Sequence, residues 1–85
     1  MNLYLCSVFD RATESFGRPF VVQHPGQAVR SFSDEANNKD SELGRHPADY
    51  ELWQLGVMSD QDGVLSSHKE RLARASDFVT PTNKA

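Results

Sequence analysis

Two stretches of this chain carry apolar side chains at both sets of alternating positions, and that feature most constrains the fold. Residues 2–9 read Asn-Leu-Tyr-Leu-Cys-Ser-Val-Phe, and residues 49–58 read Asp-Tyr-Glu-Leu-Trp-Gln-Leu-Gly-Val-Met. Their aromatic and aliphatic content predicts two strands. Alternation puts Leu3, Leu5 and Phe9 on one side of the first strand and Tyr4, Cys6 and Val8 on the other. The later strand separates Tyr50 and Leu52 from Trp53, Leu55 and Val57. A sheet made of such strands needs cover on both faces. A single helix covers one. The other face then calls for the C-terminal segment, a second subunit or a ligand.

The remaining elements follow from their punctuation. Pro19 to Gln23 predicts a second strand, with proline at the first position, where no ladder donor is needed. The polar connection from Asp10 to Gly17 joins the two strands in a hairpin. Pro25 opens a helix, and Ala28, Val29, Phe32 and Ala36 fall on one face of it. The helix is expected to stop near Asn37-Asn38, because asparagine tolerates the left-handed C-terminal position. Residues 39–48 form a polar loop in which Pro47 pushes His46 towards extended geometry. Asp60-Gln61-Asp62-Gly63 is a hairpin turn leading into a short fourth strand, Val64 to Ser66. The order β-β-α-β-β with short connections predicts an α+β fold, a mostly antiparallel sheet with the main helix on one face.

Residues 1–66 then form a single domain, and residues 67–85 a basic tail. Ser67-His68-Lys69-Glu70 matches a capping box, and Leu72, Ala75 and Phe78 or Val79 follow at roughly helical spacing. These features predict a short second helix, although His68 and Lys69 in its first turn oppose the helix dipole. Residues 80–85 are expected to be a loose end.

An 85-residue chain buries only about 60–65% of its unfolded surface, so its core alone gives marginal stability. Cys6 is the only cysteine, which excludes an intramolecular disulfide and suits a reducing compartment. Self-association as a homodimer or larger assembly is the expected support. No apolar run is long enough to span a membrane, and Met-Asn-Leu-Tyr-Leu-Cys lacks the basic start of a secretory signal, so a cytoplasmic protein is expected.

Net charge is −3, which argues against nonspecific nucleic-acid binding by the whole surface. The charge is uneven, however. Residues 1–65 hold five basic and ten acidic side chains, whereas residues 66–85 hold four basic and two acidic. The tail is the electrostatic footprint for phosphates, or else an ordinary solvated segment.

Catalytic and metal-binding chemistry find little support. His24, His46 and His68 lack partners at zinc-ligand spacing. Cys6 sits mid-strand among apolar neighbours, where a thiol is hidden rather than activated. Asp60-x-Asp62-Gly63 lacks the later oxygen ligands of a calcium loop. No metal, cofactor or enzymatic activity is expected.

Single-strand binders combine basic side chains with aromatic stacking platforms. The basic candidates are Arg18, Arg30, Arg45, Lys69, Arg71 and Arg74, with Arg11 nearby. The stacking or interface candidates are Tyr4, Phe20, Tyr50 and Trp53. Each has a plainer role: strand aromatics mostly belong to cores, and Arg30 has Asp34 four residues on for an ion pair.

Several of these residues also fall into a larger pattern. Ala28-x-Arg30-x-Phe32-x-Asp34 is followed by Asn37 or Asn38. His46-Pro47-x-Asp49-Tyr50-x-Leu52 is followed by Gly56 and by the turn ending at Gly63, and the opening strand carries Leu3-Tyr4 and Val8-x-Asp10. Over about residues 2–66 this resembles the small nonstructural protein of gokushoviruses, single-stranded DNA phages of the microvirus group. The resemblance implies a DNA-binding or replication protein acting on viral DNA, single-stranded by preference, in the bacterial host's cytoplasm. It supplies no list of DNA-contacting residues. The expected function is a non-enzymatic nucleic-acid-binding accessory of phage genome replication. The alternative is a module that binds a viral or host replication protein without touching DNA.

Overall fold

The structure is a computed structural model, and it describes residues 1–79. Its centre is a long strand, β1 (Asn2–Asp10), flanked on one side by β4 (Tyr50–Ser59) and then β5 (Leu65–Arg74). On its other side β1 pairs with two short strands, β2 (Ser15–Phe16) and β3 (Phe20–Val22). All pairings are antiparallel. Helix α1 (Pro25–Ala36) lies on one face, and a single turn, α2 (Glu42–Arg45), packs beside it. The α+β architecture matches the sequence expectation.

The elements start and stop for local reasons. The Gln27 side-chain oxygen accepts the backbone N–H groups of Gln23 and His24, which satisfies donors just ahead of α1. Asn37 ends the helix by another route than the one predicted. Its φ is −95°, outside the left-handed region, and its side-chain amide donates to the Ser33 and Phe78 carbonyls. The loop after it holds α2, where the Ser41 hydroxyl accepts the Gly44 N–H at 2.9 Å. The strand expected over Pro19–Gln23 is β3, with Pro19 just ahead of it, and the connection before it holds a further two-residue strand, β2.

The largest correction lies in the tail. Residues 67–74 belong to β5 and form no second helix; only a 3₁₀ turn, Ala75–Asp77, follows. The turn at Gly63, whose φ is 74°, sends the chain back along β4, whose far edge is otherwise unpaired. Ser67 and Glu70 of the capping-box pattern instead stand in register with Gly56 and Gln54 of β4. Helical spacing of three apolar residues is outweighed by the pairing of two ten-residue strands. The loose end expected at residues 80–85 lies outside the described residues.

The core sits between α1 and the sheet: Ala28, Phe32 and Ala36 meet Cys6, Leu52, Ala73 and Ala75. Burial raises the Cys6 thiol above its ordinary pKa. A register shift interrupts the β1–β4 pairing between Leu5 and Cys6, and Leu55 is the extra residue on β4. It pairs Val57 with Tyr4 and Met58 with Leu3, so Val57 leaves the side that carries Trp53. Gly56 is required nearby, since a Cβ there would lie 2.8 Å from the Ser66 carbonyl oxygen.

The helix layer stops short of the hairpin's end. Leu65 to Arg71 are all exposed. The Cα radius of gyration is 14.0 Å and the longest extent is 53 Å, whereas a compact chain of this length has a radius near ~12 Å. The β4–β5 arm therefore projects beyond the packed body.

Candidate nucleic-acid interface

The sheet face turned away from α1 carries a cluster of aromatic and basic side chains. Ser7 pairs with Trp53, and Trp53 pairs with Arg71, so strand register alone sets these three side by side. Phe9 and Phe16 are also paired, their ring centroids 4.8 Å apart. Phe16 meets the Trp53 ring edge-on at 6.2 Å. The Lys69 ammonium sits 5.4 Å from the Trp53 ring centroid and 5.6 Å from that of Phe16, within cation–π range.

Glu51 organises this cluster. One carboxylate oxygen accepts the Trp53 indole N–H at 3.0 Å, and the other lies 3.7 Å from an Arg71 guanidinium nitrogen. The Glu51 side chain is only 12% exposed, whereas that of Arg71 is 41% exposed. The arrangement fixes the indole plane and leaves Arg71 accessible. Ser7 is fully buried beneath the face, its hydroxyl donating to the Gly17 carbonyl at 2.8 Å.

The predicted site residues are distributed unequally. Trp53, Lys69 and Arg71 come together here, and Arg74 joins them by its register with Glu51. Arg18 is exposed in the connection between β2 and β3. Arg30 and Arg45 are exposed on α1 and α2, on the opposite side of the sheet. Arg45 pairs with Glu42 at 3.2 Å, and no ion pair joins Arg30 to Asp34 among the described residues. Tyr4 and Tyr50 pack against the core. Burial, then the carboxylates of Asp10, Glu42 and Asp49, push the Tyr50 hydroxyl above its ordinary pKa. Arg11 is tied down by its side chain, which donates to the Ala48 carbonyl.

Phe20 has a different setting. With Val8, Ala28, Phe32, Leu43 and Leu52 it lines an apolar hollow of about 170 Å³ beside α1, with Ser31 and Glu35 also in its wall. Phe9, Phe16 and Glu51 were missed as site residues. Phe16 falls in a polar stretch that reads as a connection, and a lone glutamate in a strand carries no signal of its own. The alternation of the first strand did place Phe9 opposite the Cys6 side, which was the usable hint.

The fold and this face define a small α+β protein whose sheet is covered by helix on one side and bears an open aromatic and basic cluster on the other. The chain belongs to the Phage ORF5 protein family, which it matches over residues 3–78, and is thus a bacteriophage protein. No curated protein and no solved structure matches it. Among the described residues no helix is long and apolar enough to cross a membrane.

Proposed function

We propose that this phage protein binds single-stranded nucleic acid on the open sheet face, as a non-enzymatic accessory of viral genome replication in the host cytoplasm. The observation that carries this reading is the Trp53 ring, flanked by Phe16 and Lys69 with Arg71 in register beside it. Bases stack on such rings, and the ammonium and guanidinium groups meet the adjoining phosphates. The order of motifs from Leu3 to Gly63, similar to that of gokushovirus nonstructural proteins, favours viral single-stranded DNA as the ligand. The acidic remainder of the surface confines binding to this face rather than spreading it.

Trp53 is the only tryptophan, so its fluorescence reports on the face directly. Titration with an unlabelled oligodeoxynucleotide is expected to quench it saturably, more strongly for single than for double strands, with affinity falling as salt rises. Unchanged emission at low salt, with no shift in the anisotropy of a labelled strand, would remove this function.

The hollow around Phe20 favours a second reading, a module that receives an apolar side chain from a replication protein. That reading expects Phe20→Ala to abolish a protein complex and leave Trp53 quenching unchanged.

A further inference from the structure

We propose that two copies of this chain join through their β5 strands, in antiparallel register centred on Ser67, making one continuous sheet. The inference extends the open-face reading by naming a second copy as the partner of the sheet edge. β5 is the outermost strand of the sheet, so one side of its backbone has no strand partner among the described residues. Such an edge is a template for another strand. The stretch from Val64 to Ser67 carries no charge and has Val64 and Leu65 exposed by 56% and 60%.

Charge argues for a second copy as the occupant. The tip of the hairpin carries Asp60 and Asp62, and the base of β5 carries Lys69, Arg71 and Arg74. Antiparallel pairing of two identical strands sets each acidic tip beside the other's basic base, which is the self-complementarity a twofold interface requires. The twofold of such a pair stands perpendicular to the sheet, so directly paired residues share a face and one residue pairs with its own copy.

The choice of that residue is limited. Centring on Lys69 sets two ammonium groups against each other, and centring on Ser66 sets Asp62 against Glu70 of the second copy. Centring on His68 sets two imidazoles together. Centring on Ser67 has none of these conflicts and places Leu65 across from the second copy's Lys69, and Gly63 across from its Arg71. Because the axis is perpendicular, both open faces end on the same side, and the two Trp53 clusters form one longer platform for a strand.

The test is sedimentation equilibrium of the full chain without nucleic acid, comparing wild type with Leu65→Lys and Leu65→Glu. Leu65 is an exposed position outside the aromatic cluster, and circular dichroism checks the fold of each variant. Wild type is expected to be a dimer. Leu65→Lys, meeting Lys69 twice across the axis, is expected to weaken it about tenfold, while Leu65→Glu keeps or tightens it. A monomeric wild type, or equal effects of the two variants, would overturn the proposal. Since no nucleic acid is present, either result leaves the Trp53 quenching test to stand or fall separately.

Discussion

At the scale of single residues, Glu51 is the most informative side chain. It holds the Trp53 indole and partly neutralises Arg71, so it orients the platform while limiting its charge. Glu51→Gln retains an oxygen to accept the indole N–H but removes the negative charge. Affinity for a single strand is then expected to rise by about threefold to tenfold at low salt, read from the Trp53 titration. A fall in affinity with an unchanged emission maximum would show that the carboxylate itself is needed. Tyr50 gives a pH prediction. Its pKa is raised, so the folded chain holds the phenolic proton more tightly than the unfolded chain does. Raising the pH above the ordinary tyrosine value of about 10 therefore costs stability, and below it Tyr50 makes no difference. The difference in absorbance titration between wild type and Tyr50→Phe should show a transition above that value. A transition at or below it would contradict the burial of the phenol and its crowding by Asp10, Glu42 and Asp49.

At the scale of elements, the β4–β5 hairpin depends on the absence of a side chain at Gly56. A Cβ there would press on the Ser66 carbonyl across the ladder, and backbone is the part least able to yield. Gly56→Ala is expected to destabilise the fold by about 1–3 kcal/mol, measured by urea denaturation; no change in midpoint would mean the strands part freely. The same hairpin shows what could be read from the chain. β1, α1 and β4 were legible because their patterns are long and their boundaries are marked by Pro25 and by the Asp62-Gly63 turn. β5 was legible only at its start, in the short strand expected from Val64 to Ser66; beyond it the residues to Arg71 are exposed and carry no apolar alternation, and only pairing with β4 makes them a strand. The site was partly legible. Trp53, Lys69 and Arg71 were candidates among ten, but their meeting depends on a register that spacing within one strand cannot reveal. The extra residue Leu55 also moved Val57 to the other face, which no alternation count anticipates.

At the scale of the whole molecule, the proposed function requires a chain of net charge −3 to bind a polyanion. The answer offered by the fold is segregation. Lys69, Arg71 and Arg74 are carried on β5, while Arg30 and Arg45 lie across the sheet among acidic neighbours on α1 and α2. Only the first group can follow a strand laid over Trp53. Each phosphate neutralised on a single strand contributes a slope of about −0.7 to the dependence of log affinity on log salt. Replacing Lys69, Arg71 and Arg74 together by alanine should therefore flatten the slope by about two units, whereas Arg30→Ala with Arg45→Ala should leave it unchanged. The comparison separates local from global electrostatics, because net charge falls by three in one variant and by two in the other. If both variants flattened the slope in proportion to the charge removed, the ligand would be responding to the molecule's overall field, and the open face would lose its claim to be the site.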